Sequence, residues 1–168
     1  MLSLKSVEYS VGEFKLKADF KIPRLSKVAL IGPSGAGKST LLSLISGFLK
    51  PNSGSIIIDN EDVTTKLSNQ RRVTTIFQDG NLFPHLTVKK NISLGLRPDL
   101  RLNSAQQSVL DYAIDRVGLT DLVDRKPGSL SGGQQSRVSL ARALVRDCPL
   151  LLLDCLLYTS DAADDSLR

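Results

Sequence analysis

The residues best suited to chemistry lie at positions 32–40, where the sequence reads GPSGAGKST. This stretch satisfies the pattern G-x-x-x-x-G-K-[ST] and lies between an apolar run and a segment with helical periodicity. Glycines allow such a loop to wrap so that backbone N–H groups point at a phosphate, and the following helix adds its positive N-terminal end. The pattern in this context predicts a nucleotide-binding site. The motif leaves adenine and guanine open.

Two side chains of this loop carry the predicted chemistry. Lys38 would place a positive charge on the β- and γ-phosphates, and the Ser39 hydroxyl would occupy one position on Mg²⁺. The predicted phosphate-binding loop comprises Gly32, Pro33, Ser34, Gly35, Ala36, Gly37, Lys38, Ser39 and Thr40.

A second glycine-containing motif, LSGGQ, occupies residues 130–134. Ser131 is a good N-cap for a helix, and Gly132 and Gly133 would leave the backbone N–H groups of its first turn uncovered. These groups could contact a second phosphate. Alternatively, the glycines could have a structural role only, in a flexible helix N-terminus that follows the preceding turn. The spacing alone leaves both interpretations open.

The composition is that of an ordinary globular domain, with 41% hydrophobic and 23% charged residues among 168. The net charge is +5, but the basic residues are scattered and aromatic residues make up only 5%. Because basic and aromatic residues are not interleaved, the sequence argues against a nucleic-acid surface. Two cysteines, Cys148 and Cys155, are too few for a disulfide framework, which fits a reducing cytosol. No apolar run reaches the length of a membrane span.

Local patterns predict the elements around these motifs. Residues 2–9 and 14–22 alternate as half-buried antiparallel strands do. The continuous apolar run KVALIG, residues 27–32, predicts a buried parallel strand. A helix is predicted from Lys38 to about Ser46, where Gly47 ends it. Further strands are predicted at 55–59, 73–77 and 149–154. The alternation of strands and helix indicates an α/β fold.

Two more helices are predicted in the middle of the chain. The first runs from Ser104 to Val117, with a capping box of Ser104 and Gln107, and the second begins at Ser131. The residues predicted to share their apolar faces are Val109, Leu110, Ala113, Ile114 and Val117 in the first, and Val138, Ala141, Leu144 and Val145 in the second.

The order of four motifs resembles the ATP-binding subunits of ABC transporters. These are the phosphate-binding loop, a glutamine ending a strand at Gln78, LSGGQ, and the strand LLLLD that closes on Asp154. The resemblance implies a P-loop NTPase (RecA-like) core with an N-terminal antiparallel β region and an inserted α-helical subdomain, incomplete at the C-terminus. The implied core spans 1–84 and 146–154, and the helical subdomain spans 85–145.

The resemblance also implies roles for individual residues. Lys38 and Gln78 would be catalytic, and Ser39, Gln78 and Asp154 would hold Mg²⁺. Tyr9 would either stack on adenine or pack in the core. The signature residues Ser131, Gly132, Gly133 and Gln134 would bind the γ-phosphate of ATP held by the opposite subunit of a head-to-tail homodimer. The family's catalytic histidine would lie beyond residue 168, which leaves His85 as a surface residue.

A closer resemblance is to the ATPases of bacterial thiamine and thiamine pyrophosphate import systems, above all in the stretch NLFPHLTVKKNISLGLRPDLRLNSAQQ. It implies integral-membrane permease subunits and a periplasmic solute-binding protein as partners, no nucleic acid, and a peripheral place on the cytoplasmic face of the inner membrane. Sulfate, iron and polyamine importers remain alternatives. ABC ATPases of DNA repair or translation carry insertions that this sequence lacks.

The last residues depart from the family pattern. Cys155 stands where the family has the glutamate that polarises the attacking water, and a thiol is a poor substitute for a carboxylate base. The run CLLYTSDAADD resembles a translated transposon-based sequencing adapter. The sequence therefore predicts a C-terminal truncation, a functionless tail at 155–168, and a chain that binds ATP without hydrolysing it. A non-hydrolysing nucleotide-binding module is the second functional hypothesis.

Overall fold

The computed structural model of the chain describes residues 1–77 and 82–154. Its strands are β1 (Leu2–Val11), β2 (Phe14–Ile22), β3 (Ser53–Ile58), β4 (Glu61–Asp62), β5 (Val73–Ile76) and β6 (Leu150–Leu153). Its α-helices are α1 (Lys38–Ser46), α2 (Val88–Ser93), α3 (Ser104–Arg116) and α4 (Gly132–Leu144). Short 3-10 turns lie at Ser68–Gln70, Thr120–Leu122 and Pro127–Ser129.

The strands form two sheets. The larger has the order β2-β1-β3-β4 and is antiparallel throughout, as the alternating patterns of β1 and β2 predicted. Strands β5 and β6 form the smaller sheet. The described chain divides into two compact units, residues 1–74 with 148–152, and residues 75–147 with 153–154.

The first unit is built around one hydrophobic cluster. Leu4 and Val7 of β1, Leu44 of α1 and Ile56 of β3 are all almost fully buried in it. These residues therefore place α1, which begins at Lys38, against the antiparallel sheet. Helix α1 starts and ends where the sequence predicted, and Gly47 adopts the left-handed conformation at φ 84° that terminates a helix.

The predicted buried strand at 27–32 is wrong. Residues 23–33 belong to no helix or strand, and their side chains are exposed, with Ile31 at 90%. A continuous apolar run forms a strand only where neighbouring strands can pair with it. Among the described residues, β5 and β6 pair with each other, and neither sheet includes this run.

Helices α2, α3 and α4 pack around a second cluster. Ile92, Leu110 and Val138 are fully buried in it. Two predicted apolar positions are wrong, because Val109 is 46% and Leu144 is 59% exposed. No helix of the described residues is long and apolar enough to cross a membrane.

The capping box of α3 lies one residue before the predicted pair. Asn103 is the N-cap, and its Oδ1 accepts from Gln106 N at 2.8 Å. In return Gln106 Oε1 accepts from Asn103 N at 3.1 Å. The predicted pair of Ser104 and Gln107 is wrong because Asn is an equally good cap and Gln106 is equally placed to complete the box.

Asn91 of α2 fixes the preceding loop. The side chain is fully buried, its Oδ1 accepts from Phe83 N at 2.9 Å, and its Nδ2 lies 3.1 Å from the carbonyl oxygens of Phe83, Leu86 and Thr87. We expect Asn91→Leu to lower the free energy of unfolding by about 3 kcal/mol, because it leaves buried backbone groups without partners.

Urea denaturation followed by circular dichroism would measure this loss. Asn52→Ala is the matched control, since the Asn52 amide makes its bonds to Ser10 at an exposed position. Equal losses for the two variants would contradict the structural role assigned to Asn91.

Candidate functional site

The phosphate-binding loop is a tight turn held by its own backbone. Gly35 and Gly37 have φ values of 80° and 86°, a region that favours glycine, and Ala36 N donates to Pro33 O at 3.2 Å. Gly37 is the N-cap of α1, and Leu41 N donates to its carbonyl at 2.9 Å. The loop therefore leads directly into the helix N-terminus, as the motif predicted.

Close packing explains Gly37 further. A Cβ at this position would lie 2.9 Å from Cζ of Phe14 and 3.1 Å from Cδ1 of Leu16. Two side chains of β2 thus press against the last glycine of the loop. The sequence motifs do not include Phe14, and its alternation with Leu16 along β2 is the only local signal that marks it.

The Lys38 side chain folds back over the loop. Its Nζ donates to the carbonyl oxygens of Gly32 and Pro33 at 2.7 and 2.8 Å. An ammonium group has three donors, so these two bonds leave one N–H for an anionic ligand. The arrangement holds a positive charge at the mouth of the turn.

The remaining predicted residues of the first unit lie in the first turn of α1 and on β1. Ser39 is exposed and Thr40 is half-buried in the first turn of α1. Tyr9 is half-buried on β1, opposite Leu16 of β2, and packs against the hydrophobic cluster. Because Leu16 contacts Gly37, Tyr9 lies one strand away from the phosphate-binding loop.

The LSGGQ motif forms the start of α4. Ser131 is the N-cap, its Oγ accepts from Gln134 N at 3.3 Å, and Gln134 Oε1 accepts from Ser131 N at 2.9 Å. Gly132 and Gly133 are exposed in the first turn, and a Cβ on either would have nothing within 4 Å. Neither glycine has a positive φ.

Two neighbours of the motif were not predicted from the sequence. Gln135 Nε2 donates to the carbonyl oxygens of Pro127 and Leu130 at 3.1 and 3.2 Å. These bonds hold residues 127–130, which lead into the motif, against α4. Arg137 Nη1 donates to Val117 O at 3.1 Å, at the end of α3. The motif LSGGQ ends at Gln134, so the motif itself marks neither residue.

The other predicted site residues fall at strand ends. Asp154 directly follows β6, is half-buried, and donates its N–H to Ile76 O of β5 at 2.9 Å. Gln78 lies outside the described residues. No group of three His, Cys, Asp or Glu side chains that could hold a metal occurs in the part of the chain that the structure describes.

An aromatic cluster lies on the loop before α2. Phe83 is 45% exposed, its ring meets that of the exposed His85 edge-on at 6.0 Å, and Arg142 of α4 lies 5.8 Å from the ring centroid. Burial, together with the nearby charge of Arg146, lowers the pKa of Arg142. The position of His85 agrees with a surface role.

Comparison with known proteins places these features in a family. The family model described as ABC transporter matches residues 16–155. The chain is 50% identical over its whole length to the thiamine import ATP-binding protein ThiQ of Shigella sonnei (strain Ss046), and it covers 71% of that protein. It is 49% identical to the protein of the same name from Yersinia pestis, of which it covers 70%.

Two solved structures share the fold. The ATP-binding cassette MJ0796, as a dimer in a post-hydrolysis state bound to ADP and Pi, matches with a TM-score of 0.80 and 31% identity over 96% of this chain and 77% of its own. A second dimeric structure of this bacterial ABC transporter cassette matches with a TM-score of 0.74 and 32% identity over 91% and 73%. The chain therefore belongs to the ABC transporter family and has the α/β fold of its P-loop ATP-binding cassettes.

Proposed function

We propose that this chain is the ATP-binding subunit of a bacterial importer, in which two copies enclose two ATP molecules head to tail and act on a membrane permease. The ATP-binding names of its relatives and the dimeric state of both structural neighbours support this proposal. The proposal includes the homodimer, the permease contact and a peripheral place on the cytoplasmic face of the inner membrane.

The observation that carries the proposal is the uncovered helix start at Gly132 and Gly133. Glycine is a poorer helix former than alanine, by about 1 kcal/mol in a helix interior. Neither residue has a positive φ, and neither would clash with a neighbour if it carried a Cβ. Within the described residues, the fold therefore gives no reason for two glycines here. Two glycines would be explained by an external group that approaches the backbone N–H groups of this turn. A phosphate of ATP on the opposite subunit is such a group.

The proposed nucleotide contacts divide between two subunits. On one subunit, Lys38 and the backbone of residues 32–40 hold the phosphates. On the other, Ser131 and Gln134 present the start of α4 to the γ-phosphate. The mutual bonds of Ser131 and Gln134 fix this start before any ligand arrives. Tyr9 and Phe14, which lie on the strands beside the phosphate-binding loop, are the proposed contacts on the adenine side.

The donor set of the chain fits Mg²⁺ bound mainly through phosphate and water. Mg²⁺ keeps several waters and needs only one or two protein carboxylates when phosphates are present. We assign it the Ser39 hydroxyl, Gln78 and the Asp154 carboxylate. Ser39 lies exposed in the first turn of α1, and Asp154 is half-buried at the end of β6. When bound, Mg²⁺ neutralises charge that develops on the phosphates.

Thiamine is the proposed transported solute, on the names of the 49–50% identical relatives. A periplasmic solute-binding protein would deliver it to the permease. Sulfate, iron and polyamine importers are the alternatives. We assign the permease contact to the loop at 82–87, because Asn91 holds its backbone and it presents the exposed Phe83 and His85.

The experiment that tests the proposal measures MgATP binding and self-association together. We expect MgATP to bind to the full chain and to shift it from monomer to dimer in light scattering coupled to size exclusion. A chain that binds MgATP but stays monomeric at saturation would favour the second hypothesis, a nucleotide-binding module. A chain that does not bind MgATP would overturn both.

Phosphate release from MgATP should not exceed the background of a Lys38→Ala variant. Cys155 offers a thiol where a carboxylate base is needed, and a lost general base costs about 10²–10⁴-fold in rate. A continuous phosphate-release assay on both chains measures this directly. Turnover by the parent well above that of Lys38→Ala would contradict the expectation.

A further inference from the structure

Arg71 is a buried cation that donates to four backbone carbonyls. It lies two positions before β5, and only 4% of the residue is exposed. Nη1 donates to the carbonyl oxygens of Leu44 and Ile45 at 2.7 and 2.9 Å. Nε donates to Lys66 O at 2.9 Å, and Nη2 donates to Thr64 O at 3.3 Å.

The first two of these carbonyls belong to the last turn of α1. The final four carbonyls of a helix have no partner within it. Ser43 O accepts from the N–H groups of Gly47, Phe48 and Leu49, which closes the helix end. The carbonyls of Leu44 and Ile45 are left to Arg71, whose positive charge also complements the negative end of the helix dipole.

The other two carbonyls, of Thr64 and Lys66, belong to the segment after β4. Through Thr64 this segment is bonded to the antiparallel sheet. Thr64 Oγ1 accepts from Ile56 N of β3 at 2.9 Å and donates to Asp62 Oδ1 of β4 at 2.5 Å. Arg71 therefore bridges the C-terminus of α1 and the segment that follows β4. Its planar guanidinium can reach both sides at once, which a lysine ammonium cannot.

Gly47 leaves the space that the Arg71 side chain occupies. A Cβ at Gly47 would lie 2.6 Å from Nε and 2.9 Å from Cζ of Arg71. Residue 47 therefore has to lack a side chain for the guanidinium to reach the helix end. Burial lowers the pKa of Arg71 and the charge of Asp62 opposes this, so the site holds a charge at a desolvation cost.

We propose that Arg71 is a positioning residue for the phosphate-binding loop, because it anchors the C-terminus of the helix whose first residue is Lys38. The proposal rests on the function proposed above. Helix α1 has nine residues, and its first turn carries N–H groups of the phosphate site. A helix that shifts along its axis when its last turn is released moves these groups together with Lys38, and small displacements of this kind weaken phosphate contacts.

The test compares MgATP affinity among variants of the full chain, measured on folded protein at low temperature. We expect Arg71→Met to bind MgATP about tenfold more weakly than the parent, and Arg71→Lys to fall between them. Gly47→Ala should weaken binding as well. In the Arg71→Met background, however, Gly47→Ala should weaken binding less than it does in the parent, because the side chain that it displaces is gone and only the backbone strain at φ 84° remains.

A matched control separates positioning from general stability. Val63→Ala removes buried volume from the same hydrophobic cluster but leaves the bonds of Arg71 to α1 in place, so it should lower the melting temperature and leave MgATP affinity unchanged. If Arg71→Met lowers stability as Val63→Ala does but binds MgATP like the parent, the positioning role is overturned. If neither Arg71 variant folds, Arg71 is a requirement of the fold alone and the proposal is likewise overturned.

The two proposals fail in different ways. If the parent and Lys38→Ala bind MgATP equally, or neither binds it, the proposed function is wrong. If the parent binds MgATP and Lys38→Ala does not, while folded Arg71→Met binds like the parent, only the role of Arg71 is wrong.

Discussion

Lys38→Ala is expected to bind MgATP about a hundredfold more weakly than the parent, because it removes charge-assisted hydrogen bonds to phosphate. The Lys38 ammonium already donates to the carbonyls of Gly32 and Pro33, so it is held over the turn before the ligand binds. Little of its side-chain entropy therefore remains to be lost on binding. Titration calorimetry with MgATP would measure the change.

The stability of the fold should change little in this variant. Gly32 and Pro33 are exposed, so water can replace Lys38 at their carbonyls. Lys50→Ala is the control, since Lys50 is an exposed lysine just beyond the other end of α1. An affinity loss of the same size at position 50 would indicate a general charge effect and would contradict the assignment of Lys38.

Features that depend on neighbouring residues were predictable from the sequence. Helix α1 spans Lys38–Ser46 as predicted, because a glycine at each end fixes its limits. Ser131 caps α4 as predicted, because its partner Gln134 lies three residues away. The local geometry of both phosphate-binding motifs could therefore be predicted, although their role in ATP binding stays a prediction.

Features that depend on distant residues could not be predicted. The run 27–32 has every local property of a buried strand, and only the absence of a neighbouring strand among the described residues decides against it. The prediction that Val109 and Leu144 are buried was wrong for a related reason. Helical periodicity does not say how wide a face of each helix its neighbours cover.

Hydrogen bonds from side chains to distant backbone groups could not be predicted from the sequence either. Arg71 lies 27 residues from Leu44 in sequence, and nothing in the pair RR at 71–72 indicates which arginine is buried. Asn91 has the appearance of a polar residue on a short helix, yet it is fully buried. Such residues become visible only when the backbone carbonyls that need donors are known.

Gly133→Asp is expected to abolish ATP-dependent dimerisation while it stabilises the fold. The first turn of α4 contains no acidic residue, so a carboxylate there gains about 0.3–1 kcal/mol from the helix dipole. An open environment around Gly133 leaves room for the side chain. In the proposed dimer the same carboxylate would face a phosphate, and such like-charge juxtaposition costs several kcal/mol, or at least about a hundredfold in association.

A second exposed glycine provides a close control for this variant. Gly128 lies in the same unit, five residues before Gly133, with no positive φ and with open space where a Cβ would lie. Gly128→Asp adds the same charge to the same unit but outside the first turn of α4, so it should leave ATP-dependent dimerisation intact. Light scattering with and without MgATP, together with thermal melts, would test both variants. If Gly133→Asp dimerises with ATP like Gly128→Asp, the start of α4 does not contact a phosphate, and Gly132 and Gly133 require another explanation.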